Sequence, residues 1–288
     1  MREKITLFLL KGVAHLPLGM LYAFSEVVYF LVYHVIGYRR KVVRQNLSEA
    51  FPEKSERELK KIEREYYHFL CDTIVETLKL LHISDKELRK RVTIENAEIV
   101  NRSIAEGRSA VLMLAHYGNW EWVQEITRDI APEAYKASIY HALKDPVWDR
   151  IFLTLRGRWG SHIINQNRAP KALLNRGNMP WVCGFIADHR PLNREHGNIV
   201  PFLNHHTSFV YGPEVIGRKI GADFFFLEMQ RPERGRYVIK FHPLTAAEGE
   251  NPYPVTREFW RLLEEVIRKN PALWLWSHKR WKKDKLIT

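Results

Sequence analysis

Val111-Leu112-Met113-Leu114-Ala115-His116-Tyr117-Gly118-Asn119-Trp120-Glu121-Trp122 begins with five apolar residues, halts at a histidine, and passes through Tyr117-Gly118-Asn119 to a glutamate between two tryptophans. So short a continuous apolar run, closed by a glycine turn, reads as a strand buried on both faces. Beyond the turn the pattern predicts a helix start, with Asn119 as N-cap and Glu121 in the first turn, where the helix dipole favours the ionised carboxylate. A base and a carboxylate that could orient it then stand at the carboxyl end of a strand, where open α/β sheets form their sites.

Working outward, the chain after Ser109 alternates short strands with helices, the pattern of a mostly parallel sheet flanked by helices. Strands are predicted at 110–115, 135–140, 161–165, 180–187, 222–229 and 236–242. Asp145-Pro146 opens a helix as N-cap followed by proline at the first helical position, ending near Gly157. Further helices are expected from Pro170 to Arg176, from Gly212-Pro213, and from Val255 to Lys269. Upstream, Ser55 and Glu58 form a capping box, and Leu59, Ile62, Tyr66, Phe69, Leu70, Ile74, Leu78 and Leu81 recur at helical spacing. That face reads as packing, with His68 and His82 as surface or core histidines.

Residues 5–38 are strongly apolar but interrupted by Lys11, His15, Pro17, Glu26 and His34. Leu18 to Tyr38 is long enough to cross a bilayer, yet Glu26 near its middle is costly there. A spanning helix with its polar groups on protein, helices lying in the interface, and a buried core helix pair all remain open. Residues 1–44 are therefore set apart as an N-terminal membrane-associated helical segment, and 45–288 as the catalytic domain. Arg39, Arg40, Lys41 and Arg44 follow, and a membrane-bound segment so flanked keeps the next domain on the cytoplasmic side. The net charge of +12 calls for an anionic partner: nucleic acid, an acidic carrier protein, a phosphorylated ligand or an anionic membrane. Two distant cysteines in apolar surroundings, Cys71 and Cys183, suggest neither a disulfide framework nor a four-ligand zinc site, consistent with a reducing compartment.

The chemistry concentrates at strand ends. An ionised Glu121 can accept a hydrogen bond from one nitrogen of His116 and leave the other basic; the bland alternative is a histidine at a strand end and a solvated glutamate. Since no Gly-x-Ser-x-Gly or cysteine elbow is present, the attacking group has to come from the substrate. Arg156 and Arg158, beside Gly157, read as a clamp for phosphate or an oxyanion, and equally as cations complementing a helix terminus. Asp188 and His189 close another predicted strand and face the same edge as His116. His189, His196, His205 and His206 lack the spacing of a metal site, so no metal is expected. The tail with Lys279, Arg280, Lys282, Lys283, Lys285 and Trp281 is aromatic and basic, and reads as a solvated or membrane-surface tail before a nucleic-acid binder.

Taken together, these segments resemble the bacterial lipid A late acyltransferases, a branch of the lysophospholipid acyltransferase superfamily. The resemblance runs over most of the chain. Arg44-Gln45-Asn46-Leu47, with Phe51-Pro52, is similar to the Arg-x-Asn-Leu and Phe-Pro segment of that family, and His116 to Glu121 to its His-x4-Asp/Glu motif. Asp145-Pro146 with Arg156 and Arg158, Ala187-Asp188-His189, Val200-Pro201-Phe202 and Trp276-Ser277-His278-Lys279-Arg280-Trp281 follow in the family's order. The sequence departs where the family often carries a second acidic residue after the strand-end aspartate, for His189-Arg190-Pro191 stands there.

What the resemblance implies is a glycerolipid-acyltransferase-like α/β fold and an enzyme at the cytoplasmic face of the cell inner membrane. It moves an acyl chain from an acyl carrier protein thioester to a hydroxyl of a lipid A precursor, a phosphorylated glycolipid, without a cofactor and without nucleic acid. His116 takes the acceptor proton, Glu121 holds its tautomer, and Tyr117 and Asn119 shape the site. Arg156 and Arg158 contact phosphate or developing charge, with Asp188, His189, His278 and Arg280 as further substrate contacts. A lysophospholipid or aminolipid acceptor is the near alternative; a lipid hydrolase and a basic nucleic-acid-binding protein are the more distant ones.

Overall fold

The computed structural model describes residues 2–177, 179–191, 198–245 and 252–281; His196, Lys282, Lys283 and Lys285 lie outside them. Three N-terminal helices come first: α1 (Arg2–His15), α2 (Leu18–Tyr29), which continues as a π-helical stretch over Phe30–Val35, and α3 (Arg40–Ala50). The helix α3 crosses residue 44, so the division expected there falls inside one element. Long α4 (Glu56–Lys79) opens on the expected capping box, with Ser55 N–H donating to Glu58 Oε2 at 2.8 Å.

The rest is a mixed but mostly parallel sheet with helices against it. Its strands are β1 (Val92–Glu95), β2 (Ala110–Leu114), β3 (Tyr135–Tyr140), β4 (His162–Asn165), β5 (Trp181–Ile186), β8 (Asp223–Glu233) and β9 (Arg236–Pro243), arranged β1-β9-β8-β2-β5-β3-β4. From β8 to β4 every pairing is parallel; β9 turns back antiparallel on β8, and β1 runs parallel to β9. A separate antiparallel hairpin pairs β6 (Ile199–Phe202) with β7 (His205–Ser208). The helices α5 (Asp85–Arg89), α6 (Glu98–Ala105), α7 (Pro146–Arg156), α8 (Ala169–Leu174), α9 (Gly212–Arg218) and α10 (Pro254–Lys269) complete the chain.

The six strands expected from sequence are all present, and every residue of β2 is buried, as its unbroken apolar run requires. Missed were β1 and the β6–β7 pair, each only four residues long; β1 and β7 lack an apolar run, and β6 is interrupted by Pro201. Asp145 caps α7 as expected, its carboxylate accepting from Val147 N–H at 2.9 Å and Trp148 N–H at 3.3 Å. By contrast α4 is more than an apolar stripe, since Glu63, Asp72 and Glu76 are buried in it.

Candidate active site

Strand pairing assembles the site. β2 and β5 are neighbours with Leu114 opposite Ile186, and Ala187 N–H donates to Leu114 O at 2.8 Å, which carries the register past the sheet. Two residues beyond each strand, His116 and Asp188 arrive side by side on one face, as the two-residue period of extended chain dictates. His116 Nδ1 donates to Asp188 Oδ1 at 2.8 Å, and the His116 backbone N–H to Oδ2 at 3.1 Å. Trp274 Nε1–H adds a bond to Oδ2 at 3.1 Å, while the Arg280 guanidinium donates to the Asp188 carbonyl at 2.9 Å.

Burial alone would raise the pKa of Asp188, but the charge and hydrogen bond of His116, aided by His189 and Arg280, outweigh it and hold the carboxyl well below its ordinary range. An ionised Asp188 keeps the imidazole proton on Nδ1 and leaves the lone pair on Nε2. The side chain of Asp188 is 4% exposed and that of His116 19%, so the carboxylate is sealed beneath an imidazole that lines the cleft. His189 stands edge-on to His116 at 4.7 Å between ring centroids. Although open to the cleft on one side, its ring is desolvated by protein on the others, and this, with the charge of His116, pushes its pKa down to about 4. Desolvation and then Arg280 lower that of His278.

The expected hydrogen bond from His116 to Glu121 is replaced by the one to Asp188. Glu121 does not sit in the first turn of an α-helix; it precedes a 3₁₀ helix over Trp122–Arg128 and points to the last turn of α7. There Arg156 grips it with two hydrogen bonds, Nε to Oε2 at 2.9 Å and Nη2 to Oε1 at 2.5 Å. A planar guanidinium offering two parallel donors is the stronger partner for a carboxylate. Nor is Asn119 a cap: its buried Nδ2 donates to Glu76 Oε2 at 2.6 Å, tying the loop to α4.

Of the remaining expected site residues, Arg158 lies away from the cleft, where its guanidinium donates to the carbonyls of Leu80 and, at 2.5 Å, Ile83, closing the end of α4. Tyr117 points opposite to His116, its hydroxyl donating to Val266 O at 3.1 Å in α10. Arg280 is 1% exposed and bonds to the Asp188 and Ser208 carbonyls, so it braces the site from behind and is not a surface contact. Of the tail expected to be solvated, Arg280 and Trp281 are instead packed into the core, while Lys279 is exposed. Trp274, Trp276 and Trp281 are buried, Leu275 N–H donates to His116 O at 3.1 Å, and Gly118 N–H to Leu273 O at 3.0 Å. His278 is left on its exposed side. Gly118 itself has φ +67°, and a Cβ there would meet Met229 Cγ at 2.8 Å.

His116, Trp120, Glu121, Arg156 and His189 face a cleft of about 900 Å³. Among the described residues that line it there is no serine, threonine, cysteine or lysine. A narrow void of about 60 Å³ lies beside it, sharing Trp120, Glu121 and Arg156 and lined further by Leu112, Leu114 and Val182, with Lys136 and Ser138 also on its wall.

Three contributors escaped the sequence reading. Glu76 accepts from Asn119, from Tyr22 at 2.8 Å and from Tyr237 at 2.6 Å; its only signal was an acidic residue four after Asp72 beside an apolar stripe. Trp274 stands just before the Trp276 motif and carried no signal beyond its apolar neighbours. Asn46 was noticed within a motif, but not its task, which is to hold the Trp276 and His278 carbonyls at 2.8 and 3.0 Å.

Residues 3–283 match the family described as bacterial lipid A biosynthesis acyltransferase. The chain is also similar to a lipid A biosynthesis acyltransferase of Shigella flexneri, 21% identical over 85% of this chain and 79% of that one. A lipid A biosynthesis lauroyltransferase of Escherichia coli (strain K12) is 20% identical over 94% of this chain and 88% of its own length. With nearly its whole length matched, the chain belongs to the bacterial lipid A biosynthesis acyltransferase family and is an acyltransferase.

Proposed function

We propose that the protein transfers a fatty acyl chain from an acyl carrier protein thioester to a hydroxyl of a lipid A precursor at the cytoplasmic face of the inner membrane. The observation that carries this reading is a histidine oriented by a sealed carboxylate, facing a cleft whose described lining offers no serine, threonine, cysteine or lysine nucleophile. The nucleophile is then the acceptor's own hydroxyl. Nε2 of His116 takes its proton as the oxygen attacks the thioester carbonyl; the tetrahedral intermediate collapses, the C–S bond breaks, and the imidazolium returns the proton to the departing carrier thiol. Asp188 is the positioning residue in place of Glu121. The Glu121–Arg156 pair forms a rigid cleft wall, from which Arg156 meets acceptor phosphate or the developing oxyanion.

His189 and Arg190, which also line the cleft, are assigned to the acceptor side, together with the exposed His278. The void beside Leu112, Leu114 and Val182 supports entry of an apolar chain. Arg168 and Lys171, exposed on and beside α8, supply a cationic rim for an acidic carrier, in line with the net charge of +12. The thioester arrives already activated, so the step as written calls for no cofactor.

Purified protein assayed with carrier thioesters of several lengths and a panel of lipid acceptors tests the reading, together with mass spectrometry of lipids from a deletion strain. Transfer to the lipid A precursor, abolished in His116→Ala while the variant stays folded, is the expected result. Unchanged lipid A acylation in the deletion strain, or transfer to lysophospholipid alone, would overturn the acceptor. Free fatty acid released without any acceptor would point to a hydrolase.

A further inference from the structure

The N-terminal helices are built inside out for water. On α2 and its π-helical continuation, Leu18, Leu21, Ser25 and Tyr33 face inward, whereas Met20, Phe24, Val27, Leu31 and Val35 form the opposite stripe and are exposed. Phe24 is 52% exposed and Val35 64%. Ile5, Phe8, Leu9 and Leu16 form a similar outer stripe on α1. Of the polar side chains on α2, Tyr22 and Ser25 point at protein and the half-exposed Glu26 is paired, whereas Lys4 and Lys11 on α1 are exposed. An exposed apolar face this extensive, beside cations that stay exposed, fits a membrane interface as its surroundings.

The segment Leu18–Val35 is long and apolar enough to cross a membrane, but its partners forbid that. It lies antiparallel along α4 with a tie at nearly every turn. Tyr22 donates to Glu76 at 2.8 Å, Ser25 to Asp72 at 2.8 Å, Tyr29 stacks on His68 at 3.6 Å, and Tyr33 meets Tyr67 at 5.1 Å. Glu26, the residue that made a span costly, pairs with Arg234 at 2.8 Å and with His68 at 3.2 Å. Arg234 belongs to the tip of the β8–β9 hairpin, beside the exposed Glu233 and Arg236. A spanning α2 would carry α4, the Asp72–Arg231–Arg234 cluster and that hairpin to bilayer depth, where exposed charge and an open sheet edge are excluded.

We infer that α1 and α2 lie in a single leaflet, parallel to the surface, with their outer stripes in lipid and both ends of the segment on the cytoplasmic side. Exposed Lys4 and Lys11 on α1 and exposed Arg39, Lys41 and Arg44 after α2 complement anionic headgroups. The apolar surface extends to the cleft: α7 neighbours α1 and exposes Trp148 and Leu153, and the exposed Leu143 lines the cleft. A lipid acceptor thus reaches His116 sideways from the leaflet. This deepens the membrane part of the proposed function and is independent of its chemistry.

Topology decides it. A spanning helix puts Lys4 and Lys41 on opposite sides of the membrane; a one-leaflet helix pair puts them on the same side. The full chain carrying Lys4→Cys or Lys41→Cys is treated with a membrane-impermeant maleimide in spheroplasts and in inverted inner-membrane vesicles, the parent chain with its buried Cys71 and Cys183 serving as control. Labelling of both positions in inverted vesicles and of neither in spheroplasts is expected. Labelling of Lys4→Cys in spheroplasts overturns the one-leaflet arrangement while leaving membrane attachment intact. In parallel, flotation on phosphatidylethanolamine–phosphatidylglycerol vesicles should be lost in Phe24→Asp/Leu31→Asp with its melting temperature kept. Failure of the parent chain to float would overturn membrane attachment itself, and with it this inference.

Discussion

At the scale of single residues, the dyad makes the sharpest claims. Asp188→Asn can no longer hold the proton on Nδ1 as an anion, and should lower turnover by about a hundred- to ten-thousand-fold with the acceptor KM little changed. Its pKa in the fold lies below the about 3.9 of an unfolded aspartate, so its contribution to stability is complete above that value and is lost as pH falls toward the folded pKa. The stability gap between parent and Asp188→Asn, followed by thermal melts in detergent, should therefore close as pH drops from about 5 toward 2. A gap independent of pH would show that the carboxylate's charge is not what matters. Gly118→Ala combines a positive φ with a collision against Met229, and should cost about 1–3 kcal/mol in denaturant titrations and displace His116, lowering kcat.

Among the elements, the C-terminal segment behaves as a brace. Arg280 satisfies two carbonyls from behind Asp188 and β7, so Arg280→Ala should destabilise by on the order of 3 kcal/mol, from unsatisfied carbonyls and an emptied site. Arg280→Lys should rescue little, because an ammonium cannot span both acceptors as a planar fork does. Normal stability in the alanine variant would mean the tail is dispensable. The helix α7 presents Arg156 to Glu121, and its Asp145 cap is distant from the chemistry. Asp145→Ala should cost about 1 kcal/mol of stability and leave turnover near normal, a contrast with Arg280 that separates local helix capping from bracing of the site.

For the molecule as a whole, charge and shape act together. With a net +12 and cations beside the cleft, encounter with an acidic carrier should be salt-sensitive. Its KM should rise roughly threefold or more between about 0.05 and about 0.3 M ionic strength, while kcat stays nearly constant. A KM indifferent to salt would count against an acidic protein donor. Fold and site are joined through Glu76, which receives hydrogen bonds from Tyr22 in α2, Tyr237 in β9 and Asn119 in the site loop. The leaflet-facing helices and the catalytic loop thus share one buried carboxylate, whose pKa burial raises in spite of its donors.

Local sequence suffices to show that β2 exists, that it stops just short of His116, that a glycine must turn the chain at position 118, and where α4 and α7 begin. These features rest on periodicity, capping and backbone sterics, which act within a few residues. What His116 binds follows from the packed fold alone, since Asp188 lies 72 residues away and reaches it through the register of two strands that are not consecutive. The same holds for Glu121, drawn to Arg156, for Asn119, taken from a helix cap by Glu76, and for the basic tail, whose Arg280 and tryptophans are buried. In each case a side chain had a plausible partner nearby in sequence and found a better-placed one in space. Which partner wins depends on packing that brings distant elements within hydrogen-bond reach, and no local pattern encodes that.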